Sequence, residues 1–518
     1  MSFLSQTAHA AIQVYQKASY KRFVKGLSEL EALQKQKLQD TLSYLKPYLG
    51  SRADVAGYKE FHEKFPITSY HDYRELFSSE RKTNNKTLPE VVRFQPTSGS
   101  TDNLKWIPYT QGLLKDFDAA LGPWLYDFYS SYPEVLRGPH YWSLSWLPQD
   151  LRDEGVRLND TELFPAWKKL LLKQTMAVMA PVDLAGSSES SLFATVAYLL
   201  DRDDLSFASV WSPTYWLTLL KILETHQKSL AHSLMEGEWQ AYANELTMLE
   251  CPHNPERGRE LLSSTNAQEL WPQLKALSCW TTSTSSAFAK DIENRFPKLK
   301  VIGKGLWATE GVVTIPFQGH YTLASQSHFF EFEDIESKEI LPSWELRIGQ
   351  KVSPILTTTG GLIRYKMQDV LEVSGFNRKT PCLNFLGRAD GVDMVGEKTS
   401  SLRAQEVLSA LSKFAPHQES YLFAVKAETN QHYCAVLSRQ GNKTLAELSK
   451  ELEELLSESF HYKLARELQQ LGPAQVLVHE KAHEKYLQLH LNRGMVLGNI
   501  KTESLRLISE KELQENFL

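Results

Sequence analysis

The chain has 518 residues, 42% hydrophobic and 23% charged, with a formal net charge of −5. That length suits about two to four domains around a substantial buried core. Lys and Arg are spread along the chain, which excludes the clustered basic footprint of a nucleic-acid binder, and no apolar run is long enough to span a bilayer.

The first residues, MSFLSQTAHAAIQVYQK, lack the basic start and continuous apolar core of a signal peptide, so a cytoplasmic chain is expected. Cys251, Cys279, Cys382 and Cys434 stand far apart. They form neither a metal-type pair nor a disulfide framework and read as reduced, mostly buried thiols.

The first ~50 residues read as helix, with Leu38, Leu42, Leu45 and Leu49 along one apolar stripe. Ser78–Thr87 reads as a polar loop, and Val91–Phe94 as a short strand delivering the chain into a Gly/Ser/Thr turn. Leu205–Trp211 reads as a buried strand, with one helix over Tyr215–Leu234. Leu299–Trp307 reads as a strand entering a loop, and Ile355–Phe376 as a hairpin turning at Gly360-Gly361. Leu386–Lys398, rich in glycine and charge, suits a domain junction. Beyond it come a helix near Ala404–Phe414, paired strands YLFAVKA and HYCAVLS, one long helix over Thr444–Leu471, a strand AQVLV, and a final helix and tail. This order predicts an α/β chain with mixed sheets: a large N-terminal domain over 1–386 and a smaller α+β domain over 387–518.

Five segments carry chemistry. Thr97-Ser98-Gly99-Ser100-Thr101-Asp102-Asn103-Leu104-Lys105 crowds hydroxyls and glycine into a turn after a strand, then adds a lysine. Such a turn offers N–H groups, hydroxyls and a point charge to phosphate oxygens, without the spacing of a Walker A loop. Leu306-Trp307-Ala308-Thr309-Glu310-Gly311 supplies an aromatic ring suited to a purine, and a carboxylate suited to Mg²⁺. Asp369, after Arg364-Tyr365-Lys366-Met367-Gln368, is placed to accept from ribose hydroxyls. Gly387-Arg388-Ala389-Asp390 and Gly498-Asn499-Ile500-Lys501 complete the set, the last lysine suiting charge at an α-phosphate.

In this order the five segments resemble the adenylate-forming superfamily of acyl-CoA synthetases, luciferases and nonribosomal adenylation domains. Over nearly the whole chain they resemble more closely the Gretchen Hagen (auxin-responsive promoter) family of acyl-acid amido synthetases. The specific stretch is Gly349-Gln350, Thr357-Thr358-Thr359-Gly360-Gly361-Leu362-Ile363-Arg364-Tyr365-Lys366, Asp369-Val370, Gly375-Phe376 and Gly387-Arg388. The resemblance implies ATP and Mg²⁺ as cofactors, and a ligase that adenylates a small carboxylic acid and passes the acyl group to an amine or amino acid. It implies a monomer with a mobile C-terminal domain, and no nucleic-acid or membrane partner. It implies that Ser98, Gly99, Ser100 and Thr101 line a phosphate loop with Lys105 at its end. Trp307 and Thr309 would face the nucleotide, Glu310 the phosphates and Mg²⁺, Asp369 the ribose, and Arg388 would support the nucleotide. Lys501 would be the catalytic lysine. A coenzyme A ligase and a non-catalytic acyl- or nucleotide-binding protein stay open as alternatives.

The sequence departs from the family pattern at Gln368, where the family has glycine, at Leu306, where it has tyrosine, and at Thr101-Asp102. Ser400-Ser401 follow Lys398 where plant members carry a glutamate. Two other motifs are set aside. His479-Glu480-Lys481-Ala482-His483 matches a zincin pattern, but His479 and Glu480 close a strand. Gly396-Glu397-Lys398-Thr399 has a glutamate that breaks a phosphate-loop pattern. The runs around Tyr141-Trp142 and Trp211–Trp216 suit either an acyl pocket or core packing.

Overall fold

The computed structural model describes residues 3–83, 87–88, 90–97, 105–143, 174–178, 181–282, 285–389, 391–413, 419–427, 431–493, 495 and 500–518. The chain divides into two compact units. The larger is Met1–Thr281, Phe288–Met367 and Glu372–Asn384; the smaller is Thr282–Ala287, Gln368–Leu371 and Phe385–Leu518. Among the described residues no helix is long and apolar enough to cross a membrane.

In the larger unit, helices Phe3–Gly26 and Leu30–Leu49 open the chain. The predicted stripe Leu38, Leu42, Leu45 and Leu49 is buried against Phe61, Phe65, Phe329 and Ile363. Ser78–Thr83, expected as loop, is the end of helix Arg74–Thr83. Phe77 stacks on Tyr73, and buried Glu80 accepts from Leu88 N (3.0 Å), so polar letters here lie on a packed helix.

Strands β1 (Val91–Pro96) and β2 (Trp106–Thr110) form an antiparallel hairpin. A wholly parallel sheet follows, in order β3 (His140–Trp142), β4 (Phe207–Ser209), β5 (Ala276–Cys279) and β6 (Lys300–Gly303). Phe128 and Tyr129, from helix Gln111–Ser131, pack with Phe207 and Ala276 on one face of it. The single helix expected over Tyr215–Leu234 is two, Pro213–Thr225 and Gln227–Glu236, divided at His226. The His226 ring packs against Phe193 and Tyr242, which a continuous helix would not require.

The third sheet has eight strands. They are β7 (Thr314–Phe317), β8 (His320–Leu323), β9 (Phe329–Asp334), β10 (Ile340–Pro342), β11 (Lys351–Thr357), β12 (Tyr365–Lys366), β13 (Asp369–Asn377) and β14 (Thr380–Arg388), ordered β10-β9-β11-β13-β14-β8-β7 with β12 on β11. The hairpin predicted over Ile355–Phe376 is kept in part: β11 and β12 pair Ile355 to Lys366 and Leu356 to Tyr365, turning through Gly361 at φ +92°, but the second arm ends at Lys366 and Asp369–Asn377 is the separate strand β13.

The smaller unit carries β15 (Gly391–Val392) and β16 (Thr399–Ser400), then β17 (Ser420–Lys426), β18 (His432–Leu437), β19 (Gln475–Val478) and β20 (Leu505–Ser509), the last four forming a sheet ordered β19-β18-β17-β20. Alternation along β17 and β18 builds two cores. Leu422, Ala424, Tyr433 and Ala435 face Val407, Leu448 and Leu452, while Tyr421, Phe423, Cys434 and Val436 face Tyr486, Leu489 and Phe517. The long helix expected over Thr444–Leu471 is two, Leu445–Ser457 and Phe460–Glu467. Glu453 gathers Tyr462 Oη (3.1 Å), Arg466 Nε (2.6 Å) and Ala474 N (2.7 Å), which folds the second helix back on the first. The tail contains a strand that was not foreseen: β20 pairs parallel with β17. The four cysteines are free; Cys279, Cys382 and Cys434 are buried.

Candidate functional site

Beyond β6 the chain makes an irregular hairpin. Gly305, at φ +77°, admits it: a Cβ there would stand 2.6 Å from Thr314 O. Val313 N donates to Leu306 O (2.9 Å), Trp307 bridges Val312, and Ala308 and Gly311 exchange backbone hydrogen bonds of 3.0 and 3.2 Å. Thr309 and Glu310 therefore occupy the hairpin tip. Leu306 is buried at its base, its N–H donating to Thr314 Oγ1 (2.8 Å).

One arm is held by His328. Val312 N donates to His328 Nε2 (3.2 Å), so the ring proton belongs on Nδ1, which stands 3.6 Å from Asp116 Oδ2. Burial holds the imidazole below its usual range against the pull of Asp116. Burial opposes charge on Asp116 as well, but the His328 N–H and the Lys37 ammonium (2.5 Å) keep its carboxyl below the usual range. Thr359 Oγ1 also donates to Asp116 (2.6 Å). Gly311 leaves room for this ring; a Cβ would lie 2.7 Å from His328 Nε2.

The tip meets a second group of residues. Tyr365 Oη donates to Glu310 Oε1 (3.3 Å). Tyr70 Oη accepts from Trp106 N (2.7 Å), and Lys105 Nζ lies 5.8 Å from the Tyr70 ring centroid. Burial raises the Tyr70 phenol above its usual range, and the Glu310 carboxylate adds to that rise. Tyr70 thus has Lys105 and Glu310 as neighbours. Thr97 N donates to Lys105 O (2.8 Å), extending the β1–β2 pairing by one step. Ser98, Gly99, Ser100 and Thr101 themselves lie outside the described residues.

The smaller unit holds the other candidates. Asp369 begins β13 and Arg388 ends β14, and Ala389 N donates to Gln368 O (2.6 Å), which sets the two side by side. Gln368 is not among the residues with positive φ, so this position does not require the family's glycine. Lys501 sits between buried Ile500 and Thr502. Buried Tyr486 fixes that segment: its hydroxyl donates to Lys501 O (3.1 Å) and accepts from Glu503 N (2.9 Å).

Trp307 is placed on an arm rather than at the tip. Its indole N–H donates to Thr314 O (2.9 Å), and its ring meets Trp124 edge-on at 5.1 Å. Tyr141, Tyr215 and Trp216 are core residues; Trp142 and Trp211 are half-buried. The Glu397 carboxylate accepts from Met394 N, Val395 N and Tyr433 Oη, so it fills its own turn and leaves no phosphate cradle. Ser400 caps helix Ser401–Ser412, which gives the Ser400-Ser401 departure a local purpose. His479 precedes helix Ala482–Asn492 and His483 lies within it, bonded to Tyr421 Oη (2.6 Å), so the two do not share a helix face.

Sequence reasoning missed His328, Asp116, Tyr70 and Tyr486, all of which act by positioning. Tyr365 was inside the most specific motif but carried no assigned role.

Comparisons with known proteins agree along the chain. The GH3 family N-terminal domain matches residues 19–301, the central domain 321–388 and the C-terminal domain 402–510. Indole-3-acetic acid-amido synthetase GH3.15 of Arabidopsis thaliana is 22% identical over 409 residues, 70% of this chain and 67% of that protein. GH3.4 of the same plant is 21% identical over 61% of this chain, which spans 60% of that relative's length. Among solved structures, the AtGH3.15 acyl acid amido synthetase in complex with 2,4-DB superposes with a TM-score of 0.77 at 18% identity, covering 98% of this chain and 97% of that one. A 2-hydroxyisobutyryl-CoA ligase in the postadenylation state gives 0.50 at 14%, covering 94% and 90%.

Proposed function

The chain belongs to the GH3 family, and on that premise we propose that it is an ATP-dependent ligase that adenylates a carboxylic acid and transfers the acyl group to an amine such as an amino acid. The observation that carries this reading is the carboxylate of Glu310, held by Tyr365 at a braced hairpin tip and sharing Tyr70 with Lys105 immediately before β2.

A carboxylate is a poor acylating agent because oxide is its leaving group. In the reaction proposed, its oxygen attacks the α-phosphorus of ATP in line and pyrophosphate leaves. Two anions must approach, so the residues around them have to supply fixed positive charge, and preorganised charge of this kind usually lowers such barriers more than any other single effect. Lys105 and the N–H groups of the turn serve the departing phosphates. Asp369 accepts from the ribose, Arg388 supports the nucleotide, and Lys501 brings its ammonium to the α-phosphate. The single carboxylate and hydroxyl of Glu310 and Thr309 are hard oxygen donors of the kind that hold Mg²⁺ together with phosphate oxygens. When bound, that ion neutralises phosphate charge. The smaller unit is read as a mobile domain that withdraws Lys501 after the first step and admits the amine, which attacks the acyl carbon and releases AMP.

Pyrophosphate release across a panel of carboxylic acids, with amino acids or coenzyme A added, tests this. Release should depend on the acid and fall ~10²–10³-fold in both Glu310→Ala and Lys501→Ala. The acceptor that speeds it distinguishes amide from thioester formation. ATP binding without release from any acid would count for a non-catalytic protein.

A further inference from the structure

Four tryptophans crown the carboxyl edge of the parallel sheet. Trp142 closes β3, and Trp211, Trp280 and Trp307 follow β4, β5 and β6. All four are half-buried. Trp211 stands 6.1 Å from Trp280 and 5.9 Å from Trp307; buried Trp124 reaches Trp142 at 6.4 Å and Trp307 at 5.1 Å. This is the edge at which open α/β sheets bind ligands, and indole rings make flat apolar walls.

Among these rings lies Lys304, only 4% exposed. Its Nζ donates to Ser209 Oγ (2.7 Å) and stands 4.9 Å from the Trp211 ring centroid and 6.0 Å from that of Trp124. Among the described residues the titratable group facing it is the Cys279 thiol, which burial pushes up to about 12 and keeps neutral. No described carboxylate answers the ammonium. Two more buried polar atoms here, Trp124 Nε1 and Ser278 Oγ, lack a hydrogen-bond partner among the described residues, and Ser278 pairs in register with Ser209. An ammonium removed from water is costly unless an anion accompanies it.

We propose that this is a subsite for acids carrying a second anionic group: the tryptophans take the apolar body of the acid, and Lys304 with Ser209 takes the anion remote from the carboxylate that is activated. The assignment of ends rests on the proposed ligase reading, in which the activated carboxylate belongs at the hairpin tip, whereas Lys304 precedes the hairpin's base. Burial holds the free ammonium down, to about 7, and a bound anion favours the charged form.

The test uses the full chain without ATP. Tryptophan fluorescence is followed during titration with terephthalate against benzoate, and adipate against hexanoate. In at least one pair the diacid should bind at least about tenfold more tightly than its monoacid, and Lys304→Met should erase that preference. Equal binding of diacid and monoacid by the wild-type chain, no response to any acid, or a preference that survives in a folded Lys304→Met chain, would each overturn the proposal. Pyrophosphate release with the same acids separates the two readings. Diacid binding without release from any acid keeps the anion subsite and removes support for the ligase, whereas release from monoacids alone keeps the ligase and overturns the subsite.

Discussion

Arg364 and Lys304 are equally buried, each 4% exposed, and both lie in the larger unit. Their surroundings are opposite. Arg364 is fully answered: Nε and Nη2 meet the buried Glu331 carboxylate at 2.8 and 2.9 Å, and Nη1 donates to His62 O (3.0 Å) and Phe65 O (2.6 Å). Such a clamp explains how a non-glycine residue keeps φ at +47°. Lys304 meets a hydroxyl and ring faces instead. Burial is therefore a poor guide to the role of a cation, and the identity of its partners is a better one. Arg364, in the most family-specific stretch of the chain, is architectural; Lys304, in no motif, is the candidate for recognition.

The largest effect expected is from Arg364→Met. It strands Glu331 without its cation, and urea unfolding should show a loss of about 3–5 kcal/mol. A double change with Glu331→Gln should recover part of that loss, since the two residues act as one unit. Lys304→Met should act in the opposite direction and stabilise. The sign follows from protons: folding depresses the lysine pKa from its usual 10.5 to about 7. The unfolded chain therefore binds more protons between those values, and wild-type stability rises with pH across that window. The gain in melting temperature from Lys304→Met should be greatest below about pH 7 and fade as pH approaches about 10.5. Tyr486→Phe removes two backbone bonds around Lys501. A loss of about 1–3 kcal/mol is expected in the smaller unit, with pyrophosphate release slowed even though no charge is lost. Ser209→Ala, which removes one hydroxyl from Lys304, should change stability by only about 1 kcal/mol; a larger loss would place Lys304 in the architectural class with Arg364.

Much of the fold was legible because periodicity survives packing. The leucine stripe of the second helix, the paired strands YLFAVKA and HYCAVLS, and the Gly360-Gly361 turn all read correctly. The failures share a cause. Glu80, His226 and Glu453 each end or extend an element through a contact eight or more positions away, beyond the reach of helix periodicity. β20 borrows its order from β17, about eighty residues earlier. In the candidate site, charged residues on turns left a motif, whereas the residues that hold them, Tyr365 excepted, did not. Tyr486 meets Lys501 across fifteen positions, and Asp116 approaches His328 from another element altogether. Gly311 is intermediate: it stood in the motif, but its need for close approach to His328 shows only in three dimensions.

The parallel pairing of β20 with β17 also bears on biosynthesis. Leu422 to Lys426 line up with Leu505 to Ser509, only a few residues past Lys501. A ribosome must therefore have made and released almost all of the chain described here before that sheet can close. Any nascent product interrupted upstream of residue 505 keeps a bare strand edge, a template for pairing with other chains. Early termination would then yield aggregation-prone fragments in place of a partly working enzyme.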